Sequence, residues 1–192
     1  MQTIQGKVKQ KTVVLGITGS IAANKACDLV SLLREERYTV HVVMTEEAKQ
    51  FVTPLTLQTL SGNPVFSDLF AQPPSQWNAI HIALAGEADL IVIAPATAAI
   101  LGKLANGICD DLLTCVVTAT QAPVMLAPAM NTQMYHHPAV QENLKVLRRF
   151  GYSIIEPEEG KLACGTEGIG HIASIEKIAG EIKKLIRTTH AQ

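Results

Sequence analysis

The sequence is poor in charge. Asp, Glu, Lys and Arg make up 17% of its 192 residues and the net charge is −1, so it offers neither the basic groove of a nucleic-acid binder nor a polybasic patch for a membrane. No apolar run approaches the roughly 18 residues that cross a bilayer. Cys27, Cys109, Cys115 and Cys164 show neither paired metal spacing nor a dense disulfide framework. That pattern predicts no bound metal and a reducing compartment, the cytoplasm. Internal repeats, low-complexity tracts and linkers are absent too, as are a dinucleotide fingerprint and a P-loop lysine.

Lys7, Lys9 and Lys11 ahead of the apolar stretch 12–23 could be mistaken for a secretory leader. Gly16 and Gly19 interrupt that stretch, which passes without a break into an amphipathic helix. It reads as a first strand, a turn and a helix start.

What remains is apolar: 47% of the residues, with a positive mean hydropathy. The length suits one α/β domain spanning 1–192, with its core at about 11–187. So apolar a chain predicts that part of its surface is covered by further copies of itself.

Short buried-type strands are predicted at 13–17, 39–44, 90–94, 124–127 and 153–155, with helical stretches between them. The first helix carries Ala22, Ala26, Leu29 and Leu33, and a short helical segment covers 53–60. The closing helix has Ser174 as its cap and Ile175, Ile178, Ile182 and Leu185 as its stripe. Residues 71–76 read as a surface loop closed by Trp77. The alternation is βαβ, hence a parallel sheet covered on both faces.

Ligands of such sheets bind beyond the carboxyl ends of the strands, and four segments fall there. Gly16-Ile17-Thr18-Gly19-Ser20-Ile21 lets a ligand approach the backbone and ends in a serine cap, an arrangement that favours the phosphate of a mononucleotide. Ala94-Pro95-Ala96-Thr97-Ala98-Ala99 presents small residues and one hydroxyl, a surface against which a flat ring can lie. Pro128-Ala129-Met130-Asn131-Thr132-Gln133-Met134-Tyr135 breaks a strand with proline and holds an amide just past its end. Leu162-Ala163-Cys164-Gly165-Thr166-Glu167-Gly168-Ile169-Gly170 is a glycine-rich loop able to fold over a ligand. His81, among apolar neighbours, is either a hydrogen-bonded structural residue or a base facing the crevice. Asp110 and Asp111 read as a helix start.

Taken in order, Gly19-Ser20, His81, 94–97, 128–135 and Ala163-Cys164-Gly165 resemble the homo-oligomeric flavin-containing cysteine decarboxylases along nearly the whole chain. The 128–135 string is similar to that of members acting on 4'-phosphopantothenoylcysteine in coenzyme A biosynthesis. The resemblance implies a Rossmann-like (flavodoxin-like) fold and bound FMN, with Gly19, Ser20 and Ile21 at the phosphate, Thr45 nearby, and Thr97, Ala98 and Ala129 lining the flavin. It implies His81 as active-site base, Asn131 at the substrate carboxylate with Met134 and Tyr135 beside it, and Cys164 as proton donor. The implied reaction yields 4'-phosphopantetheine through a thioaldehyde and an enethiolate.

It further implies a homotrimer, or a higher oligomer such as a dodecamer, with the flavin at a subunit contact, and a separate or fused phosphopantothenoylcysteine synthetase. The chain ends at Gln192, directly after the closing helix, so it reads either as freestanding or as one half of a fusion. Two positions depart from the family: Ala83 where an acidic residue is usual, and His171 where arginine is usual. Three other readings share the scaffold, namely a lantibiotic-type peptidyl-cysteine decarboxylase, a non-catalytic flavoprotein regulator and a flavin prenyltransferase. The string at 128–135 argues against the first and third, and the presence of both His81 and Cys164 against the second.

Overall fold

The computed structural model describes residues 10–70, 79–161, 165 and 167–188. Strand β1 (Thr12–Ile17) leads through a single 3-10 turn (Ile21–Asn24) into α1 (Lys25–Glu35), β2 (Thr39–Met44), α2 (Pro54–Ser61) and β3 (Val65–Phe66). Next come α3 (Ile80–Glu87), β4 (Leu90–Ala96), α4 (Ala98–Ala105), α5 (Leu112–Ala119) and β5 (Val124–Pro128). Then follow α6 (Thr132–His136), α7 (Pro138–Arg149), β6 (Ser153–Ile154), β7 (Glu158–Lys161), β8 (Glu167–His171) and α8 (Ile175–Thr188).

Six strands form one parallel sheet in the order β3-β2-β1-β4-β5-β6. Every residue of β1, β4 and β5 is buried, because a central parallel strand has helices on both faces. Side chains alternate between those faces. Leu15, Val42, Val92 and Met125 pack with α1 and α8, whereas Val14, Val43, Ile91 and Leu126 pack with α3, α4, α5 and α7. The order reverses between β1 and β4, so the crevice that receives a ligand opens at the carboxyl ends of those two strands.

The expected parallel sheet is present, with differences in detail. Strand β4 continues to Ala96, two residues past the expected end, where its pairing with β5 shifts register before Pro128. Strand β3 was not expected, since two half-buried residues at a sheet edge carry no periodicity. Ser20 caps the 3-10 turn rather than an α-helix, accepting from the Ala22 amide at 3.3 Å. In the closing helix Ile178, Ile182 and Ile186 are buried, with Leu185 at the margin of the core.

The glycine-rich stretch expected as a free loop is, from residue 167 on, strand β8, paired antiparallel with β7. Cys164, Trp77 and the expected loop 71–76 lie outside the described residues.

Candidate active site

The end of β1 and the end of β4 are tied together by one side chain. Thr18 is 2% exposed; its Oγ1 donates to the Pro95 carbonyl at 2.7 Å and accepts from the Thr97 amide at 3.1 Å. Thr97 in turn caps α4, its hydroxyl accepting from the Ile100 amide at 3.5 Å. Beside it, Gly19 lies so close to the segment after β2 that a Cβ would stand 2.3 Å from that of Glu47. Thr45 starts that segment, its amide bonded to the Ile17 carbonyl.

These ends surround a cavity of about 360 Å³. Of the expected FMN residues, Gly19, Thr45, Thr97 and Ala98 line it, joined by Met134, which was expected at the substrate. Thr18, Glu47, Lys103 and Asp111 line it as well. Ser20, Ile21, Ala129, His81, Asn131 and Tyr135 are outside that lining.

Lys103 carries a fixed positive charge into the wall. Its ammonium lies 2.7 Å from Asp110 and 2.8 Å from Asp111, and those hydrogen bonds push its pKa up to about 12. Burial works against the Asp111 charge, but bonds from Lys103 and Thr114 outweigh it and hold the carboxyl below its usual range. Asp111 also caps α5 in a reciprocal box with Thr114. The helix start expected at this position is therefore present, and it contributes to the cavity in addition. The charged partner that recruits Asp111 to the wall lies eight residues upstream, on another helix.

Past β5, the chain turns through Ala129 and Met130 to Asn131, which caps α6 by accepting from the Gln133 amide at 2.8 Å. This segment is held on three sides. The Ala129 amide bonds to the Ala96 carbonyl at 3.0 Å, and the Met130 amide to the Gly170 carbonyl at 3.0 Å. Thr132 donates to the Ile169 carbonyl at 2.8 Å. At Gly170, with φ +135°, a Cβ would meet the Met130 carbonyl oxygen at 2.1 Å, so only glycine permits the contact.

Tyr135 is buried. Its hydroxyl donates to Glu156, whose other carboxylate oxygen takes Arg148. Burial first, and then the bond to Glu156, push the phenol up to about 12. It is a neutral donor already committed within this chain.

His81 sits half-buried in the first turn of α3, and its imidazole has no hydrogen-bond partner among the described residues. Ala83 is on the same helix, and His171, at the end of β8, bonds through Nδ1 to the Ile172 carbonyl.

The profile of the Flavoprotein family matches residues 1–187. The chain belongs to that family. It is 46% identical over 177 residues to the probable phosphopantothenoylcysteine decarboxylase of Streptococcus mutans, covering 91% of this chain and 98% of that one. To the coenzyme A biosynthesis bifunctional protein CoaBC of Bacillus subtilis it is 51% identical over 172 residues, 89% of this chain and 42% of that protein. The chain thus spans about two fifths of the bifunctional relatives it matches.

Among solved structures, a mutant PPC decarboxylase complexed with pantothenoylaminoethenethiol superposes with a TM-score of 0.82 at 32% identity, over 91% of this chain and 97% of the other. The FMN-dependent cysteine decarboxylase SpaF gives 0.81 at 32% identity, over 93% and 97%. The family expected from the string at 128–135 is the one these relatives represent.

Proposed function

We propose that this chain catalyses the FMN-dependent decarboxylation of 4'-phosphopantothenoylcysteine to 4'-phosphopantetheine. The observation that carries the reading is the string Pro128 to Tyr135 set at the carboxyl end of β5, one strand away from a cavity at the β1 and β4 ends. The residues there suit FMN. A volume of about 360 Å³ lies within the roughly 300–1,000 Å³ of small-molecule sites, Gly19 contributes to its wall without a side chain of its own, and the hydroxyls of Thr45 and Thr97 offer polar contacts. Gly19, Ser20, Ile21 and Thr45 would hold the phosphate, and Thr97, Ala98 and Ala129 the ring.

FMN supplies a two-electron acceptor that returns the same electrons within one turnover, so no external oxidant is consumed. Around it, Asn131 binds the substrate carboxylate through its amide, while the hydrogen bond from Gln133 fixes that side chain. His81 serves as the base for the oxidative half. Cys164 donates the proton that completes the thiol product, and Met134 and Tyr135 shape the substrate side.

The cavity lining does not include His81 or Asn131, which accords with a flavin completed between subunits of a homotrimer or a larger assembly such as a dodecamer. Large apolar side chains stand exposed to be covered there, among them Leu55, Phe70 and Ile82 at 71%, 73% and 54% exposure. No helix among the described residues is long and apolar enough to cross a membrane. We place the enzyme in the cytoplasm, working with a fused or separate phosphopantothenoylcysteine synthetase.

The test is carbon dioxide release by the FMN-loaded protein from phosphopantothenoylcysteine and from a peptide ending in cysteine. Turnover of the first supports the reading; turnover of the peptide alone, or of neither, overturns it.

A further inference from the structure

We propose that Thr18 is a positioning residue for FMN, its hydroxyl fixing the end of β4 so that Thr97 presents its own hydroxyl hydrogen to the cavity. The inference rests on the reading that FMN occupies the cavity at the β1 and β4 ends.

The argument is an inventory of hydrogens. A threonine hydroxyl has one hydrogen to give and two lone pairs to offer. Thr18 gives its hydrogen to the Pro95 carbonyl and takes the Thr97 amide on a lone pair. It is nearly sealed from solvent at 2% exposure, and it has no donor left for a ligand. Its effect on FMN is therefore exerted through the backbone it holds, across 77 and 79 residues of sequence.

Thr97 is left with the complementary inventory. Its amide is committed to Thr18, and its hydroxyl oxygen accepts from the Ile100 amide. The hydroxyl hydrogen is then the one polar group of Thr97 with no protein acceptor among the described residues. Thr97 lines the cavity, and the carbonyls, N1, N5 and the phosphate oxygens of oxidised FMN are acceptors. One bond holds the Thr97 backbone and the other its hydroxyl oxygen, so the side chain is placed before the ligand arrives and only the hydroxyl hydrogen turns to meet it.

The test is titration of the apoprotein with FMN, followed by flavin absorbance and fluorescence. Thr18→Val keeps the shape and removes both bonds; binding should weaken about tenfold, as expected for a misplaced hydrogen bond in a buried site. The bound-flavin spectrum should shift to that of Thr97→Val, the double variant should bind no worse than either single one, and Thr18→Ser should restore affinity and spectrum. A wild-type affinity and spectrum in Thr18→Val, or additive losses in the double variant, overturn the proposal.

Should Thr18→Val fail to fold, Thr18→Ser and Thr18→Cys are compared on the same two readouts, since a thiol is a weak donor and acceptor. Identical results for that pair overturn it, and a weaker, shifted complex for the cysteine variant supports it. A wild-type protein that takes up no FMN removes the reading on which the proposal rests. Wild-type binding with an indifferent Thr18→Val removes this inference alone.

Discussion

Thr132 donates its hydroxyl to the Ile169 carbonyl at 2.8 Å, which joins the segment carrying Asn131 to strand β8. Two residues before Thr132, the Met130 amide bonds to the carbonyl of Gly170, the residue after Ile169. The segment we propose for the substrate carboxylate is therefore bonded to strand β8 at two points.

Gly170→Ala breaks that connection. A methyl group there would meet the Met130 carbonyl oxygen at 2.1 Å, so β8 must lift from the Asn131 segment. Turnover should fall at least about tenfold, as for a small misplacement of reacting groups. FMN content should stay near the wild-type level, because neither Gly170 nor Met130 lines the cavity proposed for the flavin. Carbon dioxide release and flavin absorbance measured on one preparation check both statements.

Tyr135→Phe removes the bond to Glu156, and with it about 2 kcal/mol, the usual worth of a hydrogen bond to a charged partner. The folded protein raises this phenol from its ordinary value near 10 to about 12. Its contribution is present below pH 10 and is lost as pH rises from 10 to 12. Urea unfolding at pH 8 should show the deficit, and the gap between variant and wild type should narrow above pH 10.

Asp111→Ala strips the cap of α5 and one of the two carboxylates on Lys103. The cap alone is worth about 1 kcal/mol. The folded protein lowers the Asp111 carboxyl, so its contribution is present above the unfolded carboxyl range and is lost as pH falls through the folded value. The stability difference from wild type, measured by denaturant melts at pH 7 and in acid, should shrink below about pH 4.

Gly19→Ala forces a methyl group to within 2.3 Å of the Glu47 Cβ. The segments after β1 and β2 must part, and both border the cavity. FMN affinity should drop about tenfold or more, the scale of one lost contact, as read by flavin fluorescence on dilution.

The parts of this molecule that could be read in the sequence are those where a residue's type and its environment agree. The runs 90–94 and 124–127 are apolar throughout because both faces of those strands are covered, and the cap at Asp111 is visible because the helix it starts is local. Thr18 gave no such signal. A lone threonine after a strand is ordinary, and its two bonds go to residues nearly 80 positions away. Strand β8 was hidden for a related reason: glycine, which lets it lie against Met130 and Thr132, is the residue that marks a loop in a sequence. Lys103 carries no signal of its own in the sequence, because only the packing of α4 beside the start of α5 brings it to the cavity wall.

The reversal of strand order between β1 and β4 has a bearing on biosynthesis of the holoprotein. Half of the cradle, at Thr18 and Gly19, leaves the ribosome early, but its counterpart at Thr97 and Ala98 follows only after three intervening strands and helices have been made. A chain arrested before β4 lacks half of the site we propose for the flavin. On that proposal loading waits until the middle of the sheet has closed, and yellow colour in a preparation reports that this closure has taken place.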